Sequence, residues 1–439
     1  MLQLIGIVIF VVLIALSIAL HELGHFLPAK KFGVKVTEFM IGFGPALWTR
    51  VKGETRYGFK AVPLGGYVRM IGMLPPAKES EEAAAPASTG RFATMIADAR
   101  QQSLEEVGPQ DQDRVFYRLP VRKRVMVMLG GPTMNLIFAT VLFSILLVGI
   151  GLPQPSLTVN SVVPCTPSEL HPSGAALPSG NCPVGSSQTP AMAAGIQPGD
   201  VISGMNGKSA QDWDSVSTAL RASGGTTVSL DLVRDGQELV VPVAVALIDR
   251  PEYDDTGVAT GATIEGGFVG VSPGVDYVRQ SWTEVPAFMW NLTTASIGAL
   301  ISLPIRLYEL VTETLIGGQE RAIDGPVSVV GVSRLGGDIA AMDEPIQGKI
   351  ATFLGLAASL NLFLFLFNLL PIPPLDGGHI AGALYEAIRR SIAKFRGRPD
   401  PGPVDVARLL PVAYFVAIAL VSMGAIVIWA DLVKPISLG

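Results

Sequence analysis

The chain has 439 residues, of which 49% are hydrophobic and only 16% charged, whereas a soluble globular protein carries about 25% charged residues. This deficit argues against a soluble protein and favours a membrane protein of two or three domains. The net charge of −5 hides an uneven distribution, because residues 27–124 carry 16 Lys and Arg against 10 Asp and Glu, whereas residues 152–352 carry 9 against 21. Basic residues stay on the cytoplasmic side of a membrane, which predicts the first block inside and the second outside.

The first predicted element is a transmembrane helix over residues 1–27. It is predicted to be retained, since no basic residue precedes its apolar run and no small-residue cleavage site follows it. The run closes with His21-Glu22-Leu23-Gly24-His25. On a helix the two imidazoles lie one turn apart on one face and can bind one zinc ion, with Glu22 as general base toward water. The alternative is a structural histidine pair at a helix end, but a Glu with two His is unusual in a membrane-length helix without a function.

Residues 28–124 are predicted on the cytoplasmic side. Alternation around a turn at Gly65-Gly66 predicts a β-hairpin within about residues 56–71. Residues 75–118 have low complexity, with a short surface helix predicted from Arg91 to Glu106. The second span is predicted over residues 125–152, and it contains Asn135, which either links helices or contacts a molecule that enters the bundle.

Short predicted strands over residues 156–250 resemble a PDZ domain, a module that adds a peptide strand to its own sheet. Turns are predicted at Asn206-Gly207 and Asp235-Gly236. A loop in this region holds both cysteines, Cys165 and Cys182, and its acidic, external setting favours a disulfide over two free thiols. A linker with interfacial helices is predicted over residues 251–349. The uncharged stretch Val285 to Ile305 is placed at the interface, because a span there would move Asp376 to the other side of the membrane.

The third span is predicted over residues 350–372, followed by a cytoplasmic loop over residues 373–408 and a fourth span over residues 409–430. Prolines end the third span and place Asp376 at the depth of the histidine pair, where a carboxylate completes a zinc site with one open position. The alternative is that Asp376 only caps a turn. His379 is predicted to support the site without binding the metal.

Together these features predict a polytopic α-helical membrane protein with four transmembrane helices, a membrane-associated β-hairpin loop and one extracytoplasmic PDZ-like α+β domain. The paired motifs His-Glu-x-x-His and Asn368-Leu-Leu-Pro-Ile-Pro-Pro-Leu-Asp-Gly-Gly, with the PDZ-like region between them, resemble the bacterial site-2 proteases, which are intramembrane zinc metalloproteases. The resemblance covers nearly the whole chain. It implies zinc on His21, His25 and Asp376, with Glu22 as the catalytic base.

The resemblance also implies how substrate binds. Phe59 to Met70 would be the re-entrant β-loop that pairs with an unwound substrate helix. The residues that the family uses to position and bind substrate correspond here to Gly65, Gly66, Tyr67, Asn135, Asn368, Pro371 and Pro373.

The partners implied by the family are single-span membrane proteins, often anti-sigma factors, that another protease has already cut on the outer side. Better-known members carry two tandem PDZ domains, whereas this sequence predicts one with a cysteine-bearing insertion. A second hypothesis is an inactive membrane-anchored PDZ scaffold, against which the intact Glu22 argues. A third is a metal carrier, but the predicted spans offer few further ligands. No nucleic-acid motif occurs.

Overall fold

A computed structural model describes residues 1–76, 91–168, 173–253, 259–319, 321–322, 325–342 and 344–436. Residues 77–90, in the first half of the predicted low-complexity stretch, lie outside these ranges. The chain divides into two units, a helical unit of Met1–Ile150 with Gln280–Gly439 and a β-rich unit of Gly151–Arg279.

The described residues form ten α-helices: α1 Leu2–Lys31, α2 Arg91–Glu105, α3 Val121–Ser144, α4 Pro190–Ala193, α5 Trp213–Ala222, α6 Val285–Glu309, α7 Val329–Ala341, α8 Ile346–Asn368, α9 Asp376–Phe395 and α10 Leu410–Val433. Two π-helical segments, Ile145–Ile150 and Leu310–Ile316, extend α3 and α6. Short 3₁₀ turns form at Phe116–Arg118 and Val406–Leu409. The strands are β1 Val36–Lys52, β2 Thr55–Met70, β3 Leu152–Val162, β4 Val201–Met205, β5 Lys208–Ser209, β6 Thr227–Arg234, β7 Gln237–Ala244, β8 Ala246–Tyr253, β9 Ala259–Phe268 and β10 Val271–Val278.

Helices α1, α3 and α8 form the centre of the helical unit. Helix α8 runs parallel to α1, since Asn361 Nδ2 donates to Ser17 Oγ at 2.9 Å and the rings of Phe10 and Phe353 lie 6.4 Å apart. Helix α3 is antiparallel to α1 and approaches it closely. A β-carbon on Gly24 would lie 2.2 Å from the Gly130 carbonyl oxygen, so glycine is required where these two helices meet.

Five described helices are long and apolar enough to cross a membrane. Four of them correspond to the predicted spans, and the other, Val285–Ile316, includes the stretch predicted at the interface. Its start contacts the end of α3, where the rings of Phe288 and Phe143 lie 5.4 Å apart. Its end packs through Leu310 against Ala430 near the end of α10. Both contacts lie in the half of the bundle where α1 begins. They support the interfacial placement, and the count of four spans stays a prediction.

The predicted hairpin forms, but its predicted turn at Gly65-Gly66 is wrong. The turn lies at Gly53, and Gly65 and Gly66 are inside β2. The long hairpin curls on itself, so that Met40 in β1 pairs with both Gly58 and Tyr67 in β2. The alternation of apolar and polar residues predicts that strands exist, but it does not predict that one segment of β1 pairs with two separate segments of β2.

The β-rich unit is larger than the predicted 156–250 domain. Its six-stranded sheet has the order β10-β3-β4-β6-β7, with β5 beside β4, and β8 pairs with β9 in a separate hairpin. The prediction of a linker from residue 251 is wrong over β9 and β10, because β10 pairs with β3 along most of its length.

Two predicted turns of the β-rich unit form, with positive φ at Asn206 and Asp235. Cys165 and Cys182 are bonded, with Cα atoms 5.5 Å apart.

The prediction of a loop over residues 373–408 is also wrong in its first half. Residues from Asp376 onward form α9, a helix of 20 residues. The three prolines of the preceding segment end α8, as predicted, but Gly377 and Gly378 already lie in the first turn of the next helix. Asp376 is therefore the first residue of a helix, and its position is fixed by a regular element.

Candidate metal centre

The two histidines lie on one face of α1 near its end, as the motif predicts. Their Nε2 atoms are 3.2 Å apart, and each lies 3.3 Å from Asp376 Oδ2. Ligands of a tetrahedral zinc ion at bond lengths of about 2.0–2.1 Å are separated by about 3.3 Å. The three donor atoms therefore have the spacing that one zinc ion requires. Within the described residues this is the one cluster of His, Cys, Asp or Glu side chains with such geometry.

The outer ring nitrogens of both histidines contact α3. His25 Nδ1 lies 2.9 Å from the carbonyl oxygen of Val127, so Nδ1–H donates and the Nε2 lone pair is left for a metal. His21 Nδ1 lies 3.2 Å from the side-chain amide of Asn135. Asn135 Oδ1 is buried and has no donor among the described residues. Rotating the amide by half a turn lets Oδ1 accept the His21 Nδ1 proton, which satisfies both groups.

Space for a metal ion is kept by a glycine on α3. A β-carbon on Gly131 would lie 2.2 Å from His25 Nε2 and 2.8 Å from His21 Nε2. Any side chain there would occupy the region between the donors. Asp376 Oδ2 is buried and has no hydrogen-bond donor among the described residues. An unsatisfied buried carboxylate oxygen is costly, and a cation bound at this point would satisfy it.

Glu22 lies beside the donors and against the hairpin. Its side chain is buried, and a β-carbon on Gly66 would lie 2.8 Å from Glu22 Cγ. The close approach of β2 to α1 therefore depends on glycine at position 66. The segment from Gly66 to Met70 pairs on one side with β1, and no described strand pairs with its other side.

The turn of the hairpin is tied to the end of α1. Glu54 accepts hydrogen bonds from Arg114, at 2.8 Å, and from Lys30 in the last turn of α1. These two cations hold the pKa of Glu54 at about 2, well below its ordinary value. These ion pairs connect the hairpin turn to the end of α1.

An open cleft of about 240 Å³ contains the site. Among the predicted substrate-binding residues, Gly66, Tyr67 and Asn368 line the cleft, together with Pro374 and Leu375. Gly65, Pro371 and Pro373 are outside its lining. Asn135 is only 1% exposed and contacts His21 instead of the cleft. His379 lines the cleft as well, and its supporting or structural role stays a prediction.

The sequence reasoning missed two contributions from α3. Gly131 provides the space between the donors, and the Val127 carbonyl orients His25. The signal for the glycine was the Gly130-Gly131 pair inside an apolar run, since two adjacent glycines are costly in a helix unless something approaches closely. A backbone carbonyl such as that of Val127 leaves no trace in the sequence.

Comparison with known proteins agrees with this geometry. Residues 9–399 match Peptidase family M50. The chain belongs to this family, the site-2 proteases. It is 34% identical over 440 residues to the zinc metalloprotease Rip1 of Mycobacterium tuberculosis, and this alignment covers 99% of the chain and 98% of Rip1.

Two further relatives are more distant. The zinc metalloprotease RasP of Shouchella clausii is 27% identical over 483 residues, covering 98% of this chain and 99% of RasP. The metalloprotease MmpA of Caulobacter vibrioides is 26% identical over 392 residues, covering 86% of this chain and 85% of MmpA. As a site-2 protease, the chain is a zinc metalloprotease and a multi-pass membrane protein.

Proposed function

We propose that this chain is an intramembrane endopeptidase that cleaves the transmembrane segments of single-span membrane proteins. In this proposal His21, His25 and Asp376 hold zinc, and Glu22 is the catalytic base. The observation that carries the proposal is the triangle of donor atoms, 3.2–3.3 Å on each side, near the end of a membrane-length helix that carries no charge from residue 5 to residue 20. Such a cluster of ionisable groups within a membrane span indicates a functional site.

The chemistry follows from the residues around the donors. When bound, zinc supplies Lewis acidity toward water and toward the carbonyl of the scissile peptide. The Glu22 carboxylate accepts the proton of the attacking water and delivers it to the nitrogen of the leaving amine. Asn135 and the Val127 carbonyl hold the two imidazoles in the orientation that directs both Nε2 atoms at the ion.

Substrate presentation requires local unfolding of a helix, because helical carbonyls are already hydrogen-bonded and shielded from attack. The unpaired side of Gly66–Met70 borders the cleft and offers backbone donors and acceptors to an extended peptide. Asn368 lines the cleft at the end of α8. We propose that these two elements hold the unwound segment next to the donor atoms.

The test of the catalytic role is Glu22→Gln in the full chain, reconstituted in lipid with a single-span reporter. This change removes the proton acceptor but keeps the size of the side chain. We expect cleavage to fall by about 10²–10⁴-fold, the usual contribution of a general base, while bound zinc stays at one equivalent. Cleavage is followed by gel mobility of the reporter and zinc by elemental analysis.

The matched control is Glu313→Gln, an acidic residue in the π-helical end of α6, which should leave both readouts unchanged. Undiminished cleavage by Glu22→Gln would exclude Glu22 as the base. Loss of zinc in the same variant would show instead that Glu22 is needed for the metal site.

We further propose an extracytoplasmic, PDZ-like role for the β-rich unit as a size filter, with both chain termini on that side of the membrane and the zinc site near the cytoplasmic side. The proposal rests on the acidic sequence of the region, on its sheet with helix α5, and on the basic residues of the opposite loops. The natural substrates are then single-span proteins, such as anti-sigma factors, that a site-1-type protease has already shortened outside.

Two measurements test this part separately from the catalysis. A reporter with a short outer segment should be cleaved at least about tenfold faster than one with a folded outer domain, as exclusion of bulk requires. Equal rates for the two reporters would exclude a size filter and leave the enzyme assignment intact. Membrane proteomes of cells with the native chain and with Glu22→Gln should differ by a trapped, shortened single-span fragment.

A further inference from the structure

Helix α9 has an outward face that the catalytic mechanism does not use. Five large apolar side chains on it are exposed by 46–94%, namely Leu384, Tyr385, Ile388, Ile392 and Phe395. At 3.6 residues per turn they fall within an arc of about 100°. They therefore form one continuous stripe along the helix. The stripe continues to the last residue of α9 and is most exposed there, with Phe395 94% accessible.

The opposite face of α9 is fixed to the bundle. Glu386 is fully buried and pairs with Arg124 of α3 at 2.5 Å. It also accepts the backbone N–H of Val404 at 2.9 Å. Because Glu386 is fully buried and its partner Arg124 lies on α3, this contact holds that face of α9 against the bundle. The exposed stripe is therefore a permanent feature of the fold.

α9 is not among the five helices that are long and apolar enough to cross a membrane. Its exposed stripe thus lies on a helix that stays at the surface, at the same end of the bundle as the start of α3 and the start of α10. Amphipathic helices of this kind bury their apolar side in the boundary between headgroups and acyl chains. Tyr385 suits that boundary, because its ring is apolar and its hydroxyl is polar.

The charges next to the stripe have one sign. Residues 387–399 contain five basic residues and no acidic residue. Arg389 donates to the carbonyl of Gly402, and Arg390 pairs with Glu386, so these two stabilise the fold. The other three, Lys394, Arg396 and Arg398, are exposed and form no ion pair with any part of the chain that the structure describes.

We propose that α9 lies in the membrane interface, with its apolar stripe in the lipid and with Lys394, Arg396 and Arg398 bound to the headgroups of anionic phospholipids. A lipid surface fits better than a soluble protein partner, since the neighbouring helices already lie in the bilayer and the free charges are all positive. Basic residues beside an anionic leaflet are attracted to it within a Debye length. α9 begins with Asp376, so its seat in the leaflet also sets the depth of a metal-binding residue.

The test uses the full chain in lipid nanodiscs with a polarity-sensitive fluorophore on a single introduced cysteine. Labelling is specific, because the only two cysteines of the chain, Cys165 and Cys182, are bonded to each other. The probe is placed by Ile388→Cys, in the stripe, or by Asp400→Cys, a control beyond the end of α9 with a 61% exposed side chain. Lipids with brominated acyl chains should quench the first probe strongly and leave the second nearly unchanged.

Brominated phosphatidylglycerol and brominated phosphatidylcholine then separate charge from apolar burial. We expect the anionic lipid to quench the Ile388→Cys probe at a mole fraction at least about fivefold lower, and this preference to shrink at high salt. The triple variant Lys394→Gln, Arg396→Gln, Arg398→Gln should remove the preference but keep quenching by phosphatidylcholine. A control with the same loss of charge in the β-rich unit, Lys208→Gln, Arg221→Gln, Arg279→Gln, should keep the preference.

The possible outcomes are distinct. No quenching at Ile388→Cys by either lipid overturns the proposal and indicates that the stripe binds a protein or a second copy of the chain. Equal quenching by both lipids overturns the headgroup contact. Quenching at Asp400→Cys as strong as at Ile388→Cys overturns the placement of the stripe in lipid, because the probe would then report the whole region and not the stripe.

Discussion

The two units of the chain use buried polar groups in opposite ways. In the helical unit, the polar residues Glu22, His25, Asn135 and Asn361 are buried deep between apolar helices, each at a contact with another element. In the β-rich unit the core is apolar, with Ile202, Leu230 and Leu232 fully buried, and its one buried carboxylate among the described residues, Asp200, pairs with a partly exposed Arg234.

This difference has a physical cause. A unit surrounded by lipid gains little by burying apolar side chains, so polar contacts and close helix packing give it specificity. A unit surrounded by water is stabilised mainly by the apolar area that it buries. The same kind of substitution should therefore damage chemistry in the first unit and stability in the second.

The largest expected effect is on the metal site. Asp376→Ala removes one of three donors, so we expect bound zinc to fall from one equivalent to a small fraction and cleavage to disappear. The β-rich unit should keep its hydrogen-exchange protection. Asp276→Ala, an exposed change on β10, is the control. Full zinc occupancy in Asp376→Ala, measured by elemental analysis, would remove this residue from the set of ligands.

A core truncation in the β-rich unit should produce the reverse pattern. Leu230 is fully buried at the centre of the sheet, and Leu→Ala changes at such positions cost about 2–5 kcal/mol. Leu230→Ala should lower hydrogen-exchange protection throughout β6 and β7 while bound zinc remains at one equivalent. Val240→Ala, at a side chain that is 69% exposed, should have little effect. Zinc loss in Leu230→Ala would show that the two units are more strongly coupled than this comparison assumes.

Adding a single methyl group at the metal site tests whether the helical unit is sensitive in its chemistry. Gly131→Ala would place a β-carbon 2.2 Å from His25 Nε2, whereas at Gly149, farther along the same helical segment, the nearest atom is 3.9 Å away. We expect Gly131→Ala to weaken zinc binding by about 10–100-fold, the range seen when the surroundings of a ligand are disturbed. Gly149→Ala should bind zinc normally. Competition with a chelator measures both, and equal affinities would refute the role of Gly131.

The smallest expected effect is a loss of stability of the β-rich unit at acid pH. The Arg234 guanidinium bonds Asp200 at 2.7 Å through two nitrogens and holds the pKa of this carboxyl below its ordinary value. The resulting stability is fully present above the unfolded value of about 3.9 and is lost as pH falls through the lowered one. Hydrogen exchange in the β-rich unit, corrected for intrinsic rates, should show this loss, and Asp200→Asn should reduce the pH dependence. An unchanged profile in the variant would exclude this pair as its source.

Much of this protein could be predicted from the sequence, because lipid and metal chemistry leave strong local patterns. Uncharged runs of membrane length predicted α1, α3, α8 and α10 within a few residues. The spacing of His21 and His25 on one helix face predicted two donors, and the depth of the proline-ended third span predicted Asp376. The turns at Asn206 and Asp235 were predicted because both need positive φ.

The failures occurred where a segment's structure depends on a distant partner. Strand β10 was assigned to a linker since its pairing with β3 joins residues more than a hundred positions apart. The turn of the first hairpin was misplaced because Gly66 allows a close approach to α1 and Gly65 lies against Phe43 of β1, so neither glycine reverses the chain. Helix α9 was assigned to a loop, since the pattern of a helix at a surface is less evident than that of a membrane span.

The sequence by itself determined which residues are able to bind zinc and which segments can enter a membrane, because both properties belong to side chains at fixed local spacings. Only the tertiary structure decided that Gly131 leaves room between the donors, that the Val127 carbonyl and Asn135 orient the imidazoles, and that the free edge of β2 borders the cleft. These depend on how α3 and β2 approach α1, which is set by packing across the whole unit and cannot be deduced from any one segment.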